Sequence, residues 1–211
     1  MVQSLFLNFS SRIINSKNVD ELKAEIVRKA LHFLIALSPS MAAINRPLTV
    51  FFLVAGTLSY TLMEYLRLSG VSIPIISSLT NIASRPRDSG RFVMGPVTLG
   101  LGALLALLIY PSPAAAIAIY ALAFGDGIAS LAGKFFGKLR PAFLFGKSIE
   151  GSAACFSVVL VSAYAVSGHL HIALVAAFTA TIVEAMPLED YDNLAIPVAV
   201  GLAVKFTSTV I

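Results

Sequence analysis

Apolar residues in this chain come in long blocks separated by short polar segments. A helix needs about 20 apolar residues to cross the hydrocarbon core of a bilayer, and only helices and closed barrels satisfy their backbone hydrogen bonds there. The blocks are too long and continuous for barrel strands. The pattern therefore predicts an all-α, polytopic transmembrane helical bundle of about seven spans in a single domain, 1–211. The seven blocks are Leu31–Ile44, Pro47–Leu66, Phe92–Tyr110, Pro113–Ala132, Ser152–Ser167, Leu170–Met186 and Leu194–Ile211.

Two segments outside these blocks have a different character. Residues 1–30 form an amphipathic lead-in without the cleavage pattern of a signal peptide, so the first span is expected to act as the insertion signal. The stretch LSGVSIPIISSLTNIAS after the second block is interrupted by Pro74 and rich in serine. We interpret it as an interfacial or re-entrant segment.

Composition supports a membrane protein. The 211 residues are 57% hydrophobic and 12% charged, whereas a soluble domain is about a quarter charged. The net charge is +4, but no basic stripe is interleaved with exposed aromatics, which argues against nucleic-acid binding. Cys155 is the single cysteine, so a disulfide within the chain is excluded.

The charges also predict an orientation. If all seven blocks cross with the N-terminus in the cytoplasm, 13 of the 15 basic residues lie on the cytoplasmic side, as the positive-inside rule favours. Only Arg46 and Lys205 fall outside. The 11 acidic residues gather on or near the same side, which that rule does not require. A one-sided polar cluster is more typical of an enzyme that joins a soluble and a lipid substrate than of a transporter.

The first candidate group lies in the lead-in, in the sequence ELKAEIVRKALH. At about 100° per residue, its acids, bases and imidazole share one helical face. A solvated face with Glu25–Lys29 pairing would explain the acids and Lys29 equally well. His32, at the start of an apolar block, is a candidate base, a candidate hydrogen-bond donor to phosphate or a helix-packing group. The residues on this face are Glu21, Glu25, Arg28, Lys29 and His32.

The second group is SRPRDSGRFVMG, 84–95, in which three arginines surround Asp88. The guanidinium group of arginine can donate two parallel hydrogen bonds to phosphate oxygens. A cytoplasmic loop that only follows the positive-inside rule would have a similar sequence. The presence of Asp88 slightly favours a functional role for this segment, because membrane topology alone gives no reason for a carboxylate there.

The third group is ALAFGDGIASLAGKFFGK, in which Asp126 stands between two glycines after an apolar run. Small residues recur every four positions, at Gly125, Ala129, Gly133 and Gly137, and a helix-packing seam explains them. A carboxylate near membrane depth is costly and is a functional candidate by default. Asp126 could hold a Mg²⁺ ion that carries phosphates.

Two further groups follow. FLFGKSIEGS, 143–152, lacks the first glycine and the strand of a P-loop, but Lys147 and Ser148 could contact phosphates at a helix start. In VEAMPLEDYDNLAIP, 183–197, Asn193 or Asp192 could simply cap the last helix. Glu184 at the end of an apolar block could complete a two-acid metal site with Asp126.

Taken together, these groups resemble the CTP-dependent lipid kinases, which include dolichol, phytol and CTP-using diacylglycerol kinases and are distantly related to phosphatidate cytidylyltransferases. The resemblance runs in order over about 25–197. It rests on the Glu…Arg-Lys-x-x-His lead-in, the Gly-Asp with spaced glycines, Lys-Ser-x-Glu-Gly-Ser, and a late Glu with Asp-Asn. The segment 84–95 is similar to a polar loop of that family in which Glu is more usual than Asp.

The resemblance implies transfer of the γ-phosphoryl group of CTP to the hydroxyl of a membrane lipid alcohol, with Mg²⁺ as cofactor. The alternatives are a phosphatidate cytidylyltransferase and a small multi-pass transporter, and a homo-oligomer stays possible. The nucleotide-site region would be about 125–152. Expected catalytic residues are Asp126, His32, Lys147 and Glu184. Expected nucleotide-binding residues are Arg28, Lys29, Gly125, Gly127, Gly133, Lys134, Gly137, Lys147, Ser148, Glu150, Gly151 and Asn193. Expected metal ligands are Asp126, Glu184 and Asp192.

Overall fold

The computed structural model of the chain describes residues 16–71, 88 and 90–209, with side chains from 23 to 208. The regular secondary structure of these residues is helical throughout. Of the stretch interpreted as interfacial or re-entrant, Leu68 is the end of a helix, and residues 72–84 lie outside the described residues, as do the arginines at 85 and 87. Seven helices make up the described fold: α1 Ser16–Ile35, α2 Ser38–Leu68, α3 Gly95–Ile109, α4 Ala114–Phe135, α5 Ile149–Ser167, α6 Leu170–Ala185 and α7 Asp192–Thr209.

The first apolar block does not form one helix. Helix α1 ends at Ile35, a turn follows, and α2 starts at Ser38. Helix α2 is itself interrupted at Asn45, whose φ of −151° and ψ of 94° are not helical. The Asn45 side chain accepts a hydrogen bond from the Leu48 backbone N–H at 3.0 Å, as an N-cap residue does. The predicted block Leu31–Ile44 therefore covers a helix end, a turn and a helix start, while Pro47–Leu66 falls in the straight part of α2.

Among the described residues, three helices are long and apolar enough to cross a membrane: α2, α4 and α5. Helices α3 and α6 are apolar but shorter. Helix α1, which carries the polar lead-in, is not among these apolar helices. The structure thus supports a helical bundle with three candidate spans, and the predicted count of seven spans and the orientation stay predictions.

Helix α4 lies at the centre of the bundle, whereas α2 is peripheral. Ala118, Ile119 and Leu122 of α4 are fully buried. Alanines on α6, such as Ala173 and Ala177, are fully buried as well, and their small side chains let neighbouring helices approach closely. In α2, by contrast, only 6% of the apolar segment is buried. An exposed apolar face on an outer helix is expected where lipid covers it.

Part of α4, Ala121–Asp126, is a π-helix, and Asp126 is its last residue. A π-helical turn inserts an extra residue into the helix and is frequent at functional sites. The ends of several helices meet near Asp126. Lys147, just before α5, contacts Glu184 at the end of α6. Asn193, at the start of α7, donates to Thr98 Oγ1 near the start of α3 at 3.0 Å. The predicted polar groups, which are far apart in the sequence, therefore lie together at one end of the bundle.

Candidate functional site

A buried ion pair between α1 and α4 forms the centre of this polar end. Lys29 Nζ lies 2.5 Å from Asp126 Oδ2, and the two side chains are only 4% and 5% exposed. Ser130, one turn further along α4, lies 3.4 Å from the other oxygen, Asp126 Oδ1. Two charges leave water at a high cost unless they are paired, so this contact fixes α1 against α4.

Further charges of α1 surround the pair. Glu25 Oε2 accepts from Arg28 Nη2 at 2.6 Å and lies 3.3 Å from Lys134 Nζ of α4. Glu25 Oε1 lies 3.8 Å from Lys29 Nζ. Burial alone would raise the pKa of Glu25, but the charges of Lys29, Arg28 and Lys134 outweigh burial and lower that pKa below its ordinary value. Glu25, Arg28 and Lys29 thus face the protein, where a solvated face was the alternative, and the side chain of Glu21 lies outside the described residues.

His32 belongs to the same group. Its Nδ1 lies 3.2 Å from Asp126 Oδ2 without the geometry of a hydrogen bond. The residue is buried, and Nδ1 has no other partner among the described residues. An imidazole nitrogen that is buried beside a carboxylate and makes no hydrogen bond can exchange a proton with a ligand.

A second ion pair joins the residue before the N-cap of α5 to the end of α6. Lys147 Nζ is 2.9 Å from Glu184 Oε1 and also donates to the Glu184 backbone carbonyl. Glu184 is buried, and its Oε2 has no hydrogen-bond partner within the described part of the chain. Lys147 is 30% exposed and so keeps access to the surface of the site. Each predicted catalytic carboxylate is therefore held by one lysine.

The predicted phosphate contacts of Ser148 and the glycines coincide with helix packing. Ser148 is the N-cap of α5, and its Oγ accepts from the Gly151 N–H at 3.1 Å. A Cβ added to Gly137 would meet Ser148 Oγ at 2.6 Å, and one added to Gly151 would meet the Ala129 carbonyl oxygen at 2.9 Å. The small-residue seam between α4 and α5 is thus real, and a nucleotide contact at these residues stays a prediction.

The two glycines beside Asp126 also face other helices. A Cβ on Gly125 would lie 2.9 Å from Val159 of α5, and one on Gly127 would lie 2.9 Å from the ring of Phe33 in α1. Their lack of a side chain lets α1, α4 and α5 approach closely around the carboxylate. This approach explains the Gly-Asp-Gly sequence in structural terms.

The loop before α5 is held by two polar contacts. Glu150, a partly exposed residue of the first turn of α5, accepts from the Lys138 and Leu139 N–H groups at 3.0 and 3.3 Å. Arg140, which the sequence analysis did not single out, donates to the Gly146 and Gly133 carbonyls at 2.6 and 2.7 Å. In the structure, Glu150 therefore positions the loop that carries Lys147, and its predicted nucleotide contact stays untested.

Asn193 lies inside α7 rather than at a cap position. It is buried, and its Nδ2 donates to Thr98 Oγ1 and, at 3.3 Å, to the Gly95 carbonyl. Its Oδ1 is buried with no partner among the described residues. Asp192, one residue earlier, lines the cavity described below.

Glu64 of α2 is a buried carboxylate that the sequence analysis missed. It accepts from Arg67 Nε and Nη2 at 2.8 and 2.7 Å and from the Val93 N–H at 2.9 Å. Arg67 also reaches the Arg91 carbonyl. Glu64 thereby holds the segment that enters α3 against α2. A carboxylate inside an apolar block, three residues before an arginine, was the available signal.

A cavity of about 830 Å³ connects these groups with an apolar region. Sites for small molecules have volumes of about 300–1,000 Å³, so this volume can hold a substrate. One end is lined by charged and polar side chains, and the other by apolar side chains of α1 and α2. The polar lining includes Arg28, Lys29, His32, Asp88, Asp126, Ser130, Lys147, Asp190, Asp192 and Asn193. The apolar lining includes Leu34, Leu37, Met41, Phe52 and Leu53.

The arrangement of the carboxylates determines whether they can bind a metal ion. Among the described residues, no three His, Cys, Asp or Glu side chains come together as a ready metal cage. Mg²⁺, however, is commonly held by one or two carboxylates together with substrate phosphates. The buried and unpartnered Glu184 Oε2 is an oxygen of the required kind, and Asp126 lines the cavity. Glu184 itself does not line the cavity, whereas Asp126 and Asp192 do. The carboxylates on the cavity are therefore of the kind that could meet a Mg²⁺ ion arriving with a phosphate-bearing substrate, and they do not form a protein-only cage.

Comparisons with known proteins give distant relatives. No protein-family model matches the chain, and no solved structure does. An uncharacterised protein of Methanocaldococcus jannaschii is 28% identical over 187 residues, covering 86% of this chain and 93% of the relative. Phytol kinase 1, chloroplastic, of Arabidopsis thaliana is 30% identical over 155 residues, covering 64% of this chain and 51% of the relative. A probable chloroplastic phytol kinase of Triticum aestivum is 28% identical over 143 residues, covering 59% and 48%. The chain spans about half the length of the phytol kinases it matches.

Proposed function

We propose that this chain is a membrane-embedded lipid kinase that transfers the γ-phosphoryl group of CTP to the hydroxyl of a lipid alcohol. The distant relationship to proteins named phytol kinases supports a lipid kinase function in general. The choice of CTP rests on the motif resemblance, which includes Lys29, His32, Asp126 and Lys147. The lipid is proposed as an alcohol because phytol is one.

The observation that carries the proposal is the cavity with two chemically different ends. Its polar end meets the buried pair Lys29–Asp126, and its apolar end lies between α1 and α2. A lipid kinase must bring a water-soluble polyphosphate and a membrane-soluble alcohol into contact. One continuous cavity with a charged and an apolar end provides such a meeting place.

A polyphosphate at the polar end would meet cations and carboxylates together. The cations Arg28, Lys29 and Lys147 line the cavity there, and so do the five carboxylates Asp88, Asp126, Glu189, Asp190 and Asp192, so the lining has an excess of two negative charges. Under the proposal, a Mg²⁺ ion that arrives with the phosphates offsets this excess. Phosphoryl transfer depends mainly on positioning and charge neutralisation, because the transferred group carries its charge on its outer oxygens. Lys147, which is partly exposed, is placed to contact a phosphate.

The proposed reaction uses residues of the polar end of the cavity. The alcohol oxygen attacks the γ-phosphorus, the bond between that phosphorus and the β–γ bridging oxygen breaks, and CDP leaves with the electron pair. The hydroxyl proton passes to His32 Nδ1 or to the Asp126 carboxylate, which lie 3.2 Å apart. Asp126 and Glu184, with Asp192 near the cavity, would hold Mg²⁺, which supplies neutralisation of phosphate charge when bound.

The placement in the membrane is part of the proposal. We place the polar end of the bundle at the cytoplasmic face, with the N-terminus on that side and the chain crossing several times. The distribution of the basic residues supports this, since 13 of 15 would lie on the cytoplasmic side if all seven apolar blocks crossed in this orientation. CTP would then enter from the cytoplasm and the alcohol from the bilayer.

Product analysis with labelled CTP tests the function. Purified protein would receive a panel of lipid alcohols and phosphatidate with CTP labelled at either the γ- or the α-phosphate. The kinase transfers the γ-label to an alcohol and leaves the α-label in CDP. Entry of the α-label into lipid, with the γ-label released in pyrophosphate, would replace the kinase by a cytidylyltransferase. No label in any lipid would favour the transporter.

A further inference from the structure

The apolar part of the cavity forms a distinct cleft between α1 and α2, which we call the tail cleft. Its walls are Leu34, Leu37, Met41, Phe52, Leu53 and Gly56. His32 and Leu34 of α1 both line the same cavity, so the tail cleft is continuous with the polar end. The two helices are neighbours in the chain but do not pack closely along their described lengths, which leaves room for the cleft.

The tail cleft opens sideways. Leu34, Leu37 and Phe52 line it, yet they are 61%, 55% and 53% exposed. Apolar side chains that line a cavity and are also half exposed mark an opening with an apolar rim. Because α2 is the peripheral helix with an exposed apolar face, this opening is directed to the region that lipid would occupy.

Gly56 gives the tail cleft its width. A Cβ added at Gly56 would have no described heavy atom within 4 Å, so its missing side chain is not needed for helix packing. Gly100 of α3 is the contrasting case, since a Cβ there would meet Thr57 Oγ1 at 2.2 Å. The close contact between α2 and α3 thus lies at Thr57 and Gly100, while the space beside Gly56 stays open.

We infer that the tail cleft holds the hydrocarbon chain of the acceptor alcohol, with its hydroxyl at the His32–Asp126 contact, and that Gly56 determines how bulky a chain is accepted. The inference rests on the proposed kinase function for the identity of the ligand as an alcohol. The apolar walls match a hydrocarbon chain, and the sideways opening gives it a path from the bilayer. A methyl-branched chain needs more room beside Gly56 than a straight chain does.

Photolabelling tests the location without requiring catalysis. The probe is a long-chain alcohol with a diazirine near the end of its chain, added to the protein in phosphatidylcholine vesicles. We expect label in the segment 31–56 that excess unlabelled alcohol removes. Label spread over the exposed face of α2 that excess alcohol does not remove would overturn the tail cleft.

A pair of phenylalanine variants tests the role of Gly56. Gly56→Phe should fill the cleft, and Leu58→Phe adds the same side chain to an exposed position about 200° away on the helix, outside the cavity lining. We expect Gly56→Phe to reduce the competed label and to lower kcat/KM for a branched C20 alcohol by about 10- to 200-fold, with KM for CTP unchanged. The loss should be smaller for a straight chain, and Leu58→Phe should match the wild type.

The outcomes separate the two proposals. Competed label in 31–56 without any γ-phosphoryl transfer would leave the tail cleft in place and refute the kinase. Phosphorylated alcohol with equal kcat/KM in the two phenylalanine variants would refute the tail cleft and keep the kinase.

Discussion

Breaking the Lys29–Asp126 ion pair should cost a large part of the stability of the protein. In Lys29→Met, Asp126 remains 95% buried in its side chain and loses the cation 2.5 Å from its Oδ2. Removing one partner of a buried pair costs about 3–5 kcal/mol. Ser130 and His32 still lie within 3.4 and 3.2 Å of the carboxylate, so we expect the lower end, about 3 kcal/mol. That is roughly a hundredfold change in the unfolding equilibrium.

A double variant measures the coupling free energy between Lys29 and Asp126. In Lys29→Met with Asp126→Asn, neither buried charge remains, and replacing a whole buried pair by neutral groups is often close to neutral. The double variant should therefore be more stable than Lys29→Met alone by about 2–3 kcal/mol. Lys205→Met, on α7 and outside the polar end, serves as the control for loss of a basic residue.

The assay is reversible unfolding in mixed micelles, followed by circular dichroism of the helices because the chain contains no tryptophan. Free energies come from the dependence of the transition on denaturant. If Lys29→Met and Asp126→Asn each cost less than about 1 kcal/mol and their effects add, the two residues are not coupled. The interpretation of a buried ion pair that joins α1 to α4 would then be wrong.

Three further predictions follow from buried contacts. The pKa of Glu25 in the folded protein lies below its ordinary value of 4.5, so its ionisation stabilises the fold above pH 4.5, and this stabilisation is lost as the pH falls through the folded pKa. Glu25→Gln should therefore flatten the loss of unfolding free energy between about pH 5 and pH 3. Glu64→Gln should cost about 1.5–3 kcal/mol and speed amide hydrogen exchange at Val93, because a charged acceptor is lost. In thermal unfolding, Gly102→Ala should be destabilised, since its Cβ would lie 2.0 Å from a carbonyl oxygen of α7, whereas Gly56→Ala should be neutral or stabilised. Equal thermal midpoints for these two alanine variants would contradict the packing described.

The sequence predicted the helical class and much of the site, because both depend on patterns close together in the chain. The spacing of Arg28, Lys29 and His32 at about 100° per residue places them on one face of α1, and the structure turns that face toward α4. The positions of α3 to α7 follow the apolar blocks to within a few residues at most ends. The break at Asn45 was missed, although Asn-Arg-Pro is typical of a capped helix start.

The sequence did not predict which residues distant in the chain contact one another. Asp126 was predicted as a metal ligand, and its closest contact in the structure is Lys29, 97 residues away. The composition of a motif shows which groups are available but not which of them neutralise one another. The same holds for Glu64, whose partner Val93 follows after a long intervening segment. Packing decides these pairs, and no local pattern encodes it.

The central claim is that the cluster around Asp126 transfers a phosphoryl group from CTP to a lipid alcohol. The most direct test measures γ-label transfer to alcohol by the wild type, by Asp126→Asn and by Lys205→Gln, each shown to be folded, at saturating CTP and Mg²⁺. The account predicts transfer by the wild type and Lys205→Gln and a kcat at least about 100-fold lower for Asp126→Asn. Wild-type turnover in Asp126→Asn would contradict it.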